Sequence, residues 1–85
     1  MKKKIKINEN CFMVKCDDNH YIILSPVTFE YLTIDKDSIK LFELIMQGYN
    51  EEVIIRKFMK LTEYEHSDIM DMLSFFKDQG IILEV

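Results

Sequence analysis

The chain has 85 residues, of which 48% are hydrophobic, and a formal net charge of −4. It is therefore long enough for one compact domain and too apolar to remain disordered. The acidic balance disfavours a free-standing nucleic-acid-binding protein, which usually presents a basic face to phosphate groups. The apolar runs 21–24 and 81–83 are far too short to cross a membrane, and no apolar segment follows the lysines at positions 2–4. These features predict a cytoplasmic protein.

The first part of the chain predicts a β-hairpin. Residues 1–9 form a basic lead-in, in which isoleucines alternating with lysines allow a short strand. Residues 10–16 alternate weakly between apolar and polar, and residues 20–24 are β-branched and aromatic, as expected for two strands. Turn-forming residues at positions 17–19 lie between them, so the two strands are expected to pair.

A third strand is predicted over residues 28–34, after Ser25 and Pro26 end the second strand. It would complete an antiparallel meander as an edge strand. Natural edge strands usually contain lysine, proline or a bulge that prevents another chain from pairing with them. This segment contains a single charged residue, Glu30. The sequence therefore predicts an open edge that can receive an extended peptide.

From Asp35 onward the period of the apolar residues changes from two to 3.6, which predicts three helices. Asp35 is suited to cap the first helix, and Gly48 lies where a left-handed residue commonly ends a helix. Asn50 is suited to cap the second helix. The sequence Thr62-x-x-Glu65 matches a capping box, which predicts that the third helix begins there.

The predicted strands and helices are segregated along the chain, which defines the expected fold class. The third helix is expected to run to about Gln79 and to end at Gly80, followed by a short extended tail, 81–85, packed on the core. The expected fold is α+β and winged-helix-like, with a three-stranded antiparallel sheet followed by three α-helices. Residues 10–85 would form the domain, after the lead-in 1–9.

The apolar residues of the third helix are spread more widely than a core-facing stripe of about 100° requires. They cover more than half of the helix circumference: Ile69, Met70, Met72, Leu73, Phe75 and Phe76. Either all six are buried, or one flank, at Met70 or at Phe75, lines a groove beside the third strand. Asp68 and Asp71 lie on the polar side, where they either serve only the solubility of the helix surface or favour a ligand with lysine or arginine.

No motif in the sequence predicts a metal site, a cofactor or catalysis. Cys11 and Cys16 are an odd number of residues apart, so on one strand they point to opposite faces, and with His20 they supply too few ligands for a tetrahedral site. No nucleophile with a base and an orienting group is recognisable, and two glycines are too few for a phosphate-binding loop. The expectation is a binding protein that is not an enzyme.

Three segments resemble the PqqD-type domain family. Ile34-Asp35, followed by Ile39, Leu41-Phe42 and Gly48, is similar to the Leu-Asn pair that opens a glycine-closed helix in that family. Segment 53–61 resembles the second helix of the family, and segment 69–82 resembles its third helix with a Gly-Leu-Leu-like ending. The resemblance covers residues 10–83. The departures are Asp35 where asparagine is commoner, one extra residue before Gly48, and a methionine-rich third helix.

The resemblance implies a RiPP recognition element, a domain that binds the leader of a ribosomally made precursor peptide and presents the peptide to a modifying enzyme. In the family the leader adds as a strand to the third β-strand and packs against the third helix. By this resemblance the peptide-binding residues are Phe29, Glu30, Tyr31, Leu32, Thr33, Ile34, Asp68, Ile69, Met72, Leu73, Phe75 and Phe76. The domain is expected to stand alone, with its partner enzyme, for example a radical-SAM protein, acting in trans.

Two other functions fit the same order of elements. A winged-helix DNA-binding regulator would use the third helix for recognition, although Glu63, Glu65, Asp68 and Asp71 would repel phosphate groups there. A structural adaptor would bind a protein partner and no short peptide. The open edge is also compatible with two copies of the chain pairing, so a monomer and an edge-paired dimer both remain open.

Overall fold

The computed structural model describes residues 4–85, so the first three residues of the predicted lead-in lie outside the described part. In chain order the elements are β1 (Ile5–Ile7), β2 (Phe12–Lys15), β3 (His20–Leu24), β4 (Tyr31–Asp35), α1 (Lys36–Met46), α2 (Glu51–Leu61), α3 (His66–Asp78) and β5 (Ile82–Glu84). The predicted α+β class, a three-stranded antiparallel sheet followed by three helices, is confirmed. No helix in the described range is long and apolar enough to span a bilayer.

The three-stranded sheet has the order β2-β3-β4. Met13, Ile23 and Leu32 lie in one row across it, and Tyr21 pairs with Ile34 in the next row. Successive side chains on a strand point to opposite faces, so these rows share one face. Ile23 and Ile34 are almost fully buried on that face. This face of the sheet therefore packs against the helical core.

A second sheet, which the sequence pattern does not predict, joins the two ends of the described chain. β1 pairs antiparallel with β5, and Ile5 lies opposite Glu84. The side-chain amide of Asn8 donates to the carbonyl of Gly80 at 2.9 Å, and its main-chain N–H donates to the carbonyl of Ile81 at 2.8 Å. Ile5 and Ile81 are buried in the same core as the helices. The lead-in strand and the tail are therefore parts of one packed unit.

Two helices begin at the capping residues that the sequence predicts. Asp35 caps α1 by accepting the N–H of Ser38 at 2.9 Å, and Asn50 caps α2 by accepting the N–H of Val53 at 3.0 Å. Gly48 follows α1 with a φ of 87°, the left-handed conformation expected of a residue that ends a helix. Gly48 and Asn50 therefore mark the break between α1 and α2.

The predicted capping box at Thr62 is wrong. The hydroxyl of Thr62 donates to the carbonyl of Phe58 at 2.9 Å and accepts the N–H of Tyr64 at 3.3 Å. The Thr62 hydroxyl therefore bonds at the C-terminal end of α2 and is not available to cap a following helix. The cap of α3 is Glu65, and its N–H donates to the carboxylate of Asp68 at 3.2 Å.

The third strand of the meander, β4, begins later than the predicted residues 28–34. The buried hydroxyl of Ser25 accepts the N–H of Thr28 at 3.1 Å, which turns the chain before it can extend. Phe29 then has a φ of 60°, and the N–H of Ser25 donates to the carbonyl of Glu30 at 2.9 Å. Phe29 and Glu30, which the sequence placed on the strand, therefore lie in the loop that precedes it.

One buried hydroxyl fastens the end of α3 to this loop. Ser25 is fully buried, and its hydroxyl donates to the main-chain carbonyl of Gln79 at 2.8 Å. Gly80 follows with a φ of 74°, and a Cβ at this position would collide with the side chain of Val27. Together these contacts hold the C-terminal end of α3 against the sheet.

A cluster of three charges links α2, α3 and β5. The Nζ atom of Lys77 lies 3.0 Å from the Oε1 atom of Glu51 and 3.2 Å from the Oε1 atom of Glu84. Burial opposes the charge of Lys77, but its hydrogen bonds to the two carboxylates outweigh this effect and raise the pKa of Lys77. Because the pKa is raised, the stabilisation is complete at neutral pH and is lost only as the pH rises past that pKa.

Replacing Ser25 by alanine is expected to lower the free energy of unfolding by about 2 kcal/mol, because buried main-chain groups lose their hydrogen-bonding partner. Urea denaturation followed by circular dichroism measures this change. Ser74→Ala is the matched control, since Ser74 is exposed on α3 and its replacement should change stability by less than about 0.5 kcal/mol. Equal stabilities of the two variants would contradict the role given to Ser25.

Candidate functional site

The outer side of β4 is open. β4 lies at the end of the strand order, and no strand within residues 4–85 pairs with its outer side. Hydrogen-bonded pairs alternate along an antiparallel ladder, and the bond from Ser25 to Glu30 sets the phase of this alternation. Two residues further along the ladder, the main-chain groups of Leu32 therefore bond to β3. The main-chain N–H and C=O groups of Tyr31 and Thr33, which alternate with it, point outward. A free row of donors and acceptors therefore runs along this edge.

A cleft of about 600 Å³ lies between β4 and α3. Its apolar lining comes from Ile34 on the strand and from Met72, Phe75 and Phe76 on the helix. Phe76 is 4% exposed and its ring packs edge-on against the ring of Phe42, with 4.9 Å between centroids. Phe75 is 46% exposed. The floor of the cleft is thus part of the core, and Phe75 forms an exposed wall.

One end of the cleft is acidic. Asp35 and Asp71 line the cleft, and an adjoining cavity of about 500 Å³ adds Asp68 and Tyr64. Partial burial and the surrounding carboxylates, with Asp37 the strongest of them, raise the pKa of the Tyr64 phenol. The negative potential at this end favours a cationic ligand group.

Half of the twelve predicted site residues come together around the cleft and the adjoining cavity. These residues are Thr33, Ile34, Asp68, Met72, Phe75 and Phe76. Of the two flanks that the sequence left open, the Phe75 flank lines the cleft and the Met70 flank does not. The side of α3 that faces β4 is therefore defined.

The other six predicted residues lie elsewhere. Ile69 and Leu73 are fully buried, so their side chains belong to the core and do not reach the cleft. Tyr31 and Leu32 lie on β4 but do not line the cleft. The remaining two, Phe29 and Glu30, precede the strand.

Four residues that line the cleft are absent from the predicted set: His20, Asp35, Ser38 and Asp71. Asp35 and Ser38 reach the cleft because α1 begins directly where β4 ends, so the cap of the helix lies at the end of the open edge. His20 is there because it pairs with Asp35 across β3 and β4. The predicted cap and the predicted meander, considered together, contain this information.

Comparison with known proteins gives a structural likeness. No protein-family model matches the chain, and no curated protein matches it significantly. The structure is similar to that of TbiB1 in complex with the TbiA(beta) leader peptide, with a TM-score of 0.71, 91% of this chain and 93% of that chain covered. The two sequences are 17% identical, so the likeness is one of fold.

Proposed function

We propose that this chain is a leader-peptide-binding chaperone that captures a ribosomally made precursor peptide by β-strand addition to β4. In this proposal it presents the peptide to a modifying enzyme that acts in trans, and it performs no catalysis itself. The observation that carries the proposal is the open edge of β4 beside an apolar cleft. The fold shared with TbiB1, a protein in complex with a leader peptide, supports it.

The main chain of β4 would provide the general attraction for the peptide. A guest strand beside β4 would exchange hydrogen bonds with the outward groups of Tyr31 and Thr33, and such bonds do not depend on the guest sequence. Every second side chain of the guest would point toward α3. Met72 and Phe75 meet those side chains with an adaptable apolar surface. Selectivity would therefore come from the cleft.

The acidic end of the cleft would select for charge. Asp35, Asp68 and Asp71 lie close together on this surface, with Asp68 and Asp71 exposed on α3. They would attract a leader peptide that contains lysine or arginine, mainly by accelerating the encounter. The peptide loses conformational freedom when it becomes ordered, so we expect a dissociation constant of roughly 0.1–10 μM.

The DNA-binding alternative gains no support from the site. The first turns of α3 expose Glu65, Asp68 and Asp71, which would meet phosphate groups if this helix entered a DNA groove. The same carboxylates are favourable beside a basic peptide. The site therefore favours peptide binding over DNA binding.

Replacing Thr33 by proline is expected to weaken peptide binding at least ~10-fold, because proline removes one outward N–H from the docking edge and leaves the bonds to β3 intact. The probes are peptides selected on the wild-type protein from a random 20-residue display library, and fluorescence anisotropy measures their binding. Proline at position 32 is unsuitable because Leu32 bonds to β3.

Met13→Pro is the matched control for this experiment. Met13 lies on β2, at the opposite edge of the sheet, and the same alternation directs its main-chain groups outward. Binding to this variant should equal that of the wild type. The proposal fails if no selected peptide binds, or if Thr33→Pro binds as well as Met13→Pro. A chain that binds no peptide but purifies with an enzyme would instead be an adaptor.

Replacing Phe75 by alanine is expected to weaken binding of the same peptides about 5- to 10-fold while lowering the free energy of unfolding by less than about 1 kcal/mol, since the ring is half exposed. Phe76→Ala should cost about 3 kcal/mol or more, because that ring is buried. Urea denaturation and anisotropy distinguish the two variants. A large stability loss for Phe75→Ala would show that this ring belongs to the core.

Neutralising the acidic end with Asp68→Asn and Asp71→Asn is expected to weaken binding of lysine- or arginine-containing peptides about 2- to 5-fold at low ionic strength, with little effect near ~0.5 M salt. Asp78→Asn is the control, because Asp78 is exposed at the opposite end of α3. Anisotropy titrations at both salt concentrations measure the effect. The same affinity for all variants at low salt would show that these carboxylates do not contact the peptide.

A further inference from the structure

The face of the three-stranded sheet that points away from the helices is apolar and largely uncovered. We call it the outer face, and its residues are Phe12, Val14, His20, Ile22, Leu24, Tyr31, Thr33 and Asp35. Phe12 and Tyr31 are each 75% exposed, and Val14 is 58% exposed. Neither Ile22 nor Leu24 is among the residues that pack against the core. Within residues 4–85 this face therefore lacks a covering layer.

The outer face is also almost free of charge. Charged residues make up 31% of the chain, yet Asp35, at one end of the sheet, is the single outer-face residue with a formal charge when His20 is neutral. Half of the twelve exposed large apolar side chains in the described part lie between positions 12 and 31. Three of these six, Phe12, Val14 and Tyr31, lie on the outer face, and exposed apolar side chains grouped on one face are typical of an interaction surface.

The conformation of Phe29 also supports an interaction surface at the outer face. Its φ of 60° is unfavourable for a bulky residue, and its side chain is 77% exposed. It lies in the loop that joins Leu24 to Tyr31, at the end of the outer face that also contains Phe12. A strained residue with its ring in solvent is expected where the ring makes contacts in an assembly.

The area available is close to what one partner contributes to a stable interface. Phe12, Phe29 and Tyr31 together expose about 450 Å² if each ring side chain offers about 200 Å². The aliphatic side chains raise the total to roughly 600 Å², compared with about 800 Å² per partner in a standard interface. Two such surfaces would bury roughly 1,200 Å², which corresponds to the smaller specific interfaces.

We propose that the outer face is the interface of a homodimer, in which two copies pack their sheets face to face about a two-fold axis. A net charge of −4 makes two copies repel each other, so a contact between them requires an uncharged surface. The outer face meets this condition over most of its length on both copies, because its single formal charge, Asp35, lies at one end. Phe12 and Tyr31, the aromatic residues of the contact, lie at the end of the outer face away from the cleft, whereas His20, Thr33 and Asp35 toward the other end line the cleft. Each copy therefore keeps its cleft, and the dimer does not depend on the proposed peptide.

Sedimentation equilibrium of the full chain without peptide tests this inference. The mass is expected to rise from 10.2 kDa to twice that value as the concentration rises from ~5 to ~500 μM, the range for a small interface. Phe12→Ser and Tyr31→Ser should each raise the dimer dissociation constant at least ~10-fold. Circular dichroism and thermal melting verify that both variants remain folded, as expected for side chains that are three-quarters exposed.

Leu61→Ser is the matched control, because Leu61 is 58% exposed on α2, away from the outer face. Its dimer dissociation constant should be that of the wild type. Sensitivity to both Phe12 and Tyr31 distinguishes face packing from edge pairing, because these residues lie on opposite edge strands. The inference is overturned if the wild type stays monomeric or if either serine variant dimerises normally.

Discussion

The placement of α3 beside β4 depends on the hydrogen bond from the Ser25 hydroxyl to the Gln79 carbonyl. Ser25 directly follows β3, and Gln79 directly follows α3, so this one contact joins the loop before the open strand to the helix that faces it. The cleft is the space left between two elements that are fastened at one end and separate at the other. Without this contact, α3 would keep its apolar packing, the ion pair of Lys77 with Glu51 and the bond from Asn8 to Gly80, none of which joins it to the loop before β4.

The contrast between the predicted and observed structure follows from the range of the interactions involved. Helix caps such as Asp35 and Asn50 act within three residues, so the sequence pattern is sufficient to place them. Thr62 also has local partners, but its hydroxyl bonds to Phe58 and Tyr64, and the sequence pattern does not distinguish this role at the end of α2 from the cap of a following helix. The pairing of β1 with β5 joins opposite ends of the chain, which no local pattern encodes.

The candidate site was predictable to the same extent. The wide apolar stripe on α3 indicates an exposed flank, and the structure identifies it as the Phe75 flank because Ile69 and Leu73 are buried. The late start of β4 was not predictable from strand propensity, since Thr28 and Phe29 favour a strand and the buried Ser25 turns this segment into a loop. Where a tertiary contact competes with local preference, the tertiary contact decides.

The pairing of β1 with β5 has a practical consequence for protein engineering. Because Ile5 lies opposite Glu84, the two ends of the described chain leave the domain side by side. A domain with adjacent ends can be inserted into a surface loop of a host protein without stretching either chain. Its ends can equally be joined by a short linker and new ends opened in the exposed turn at 17–19. The domain could then be transferred into another protein together with its open strand and its cleft.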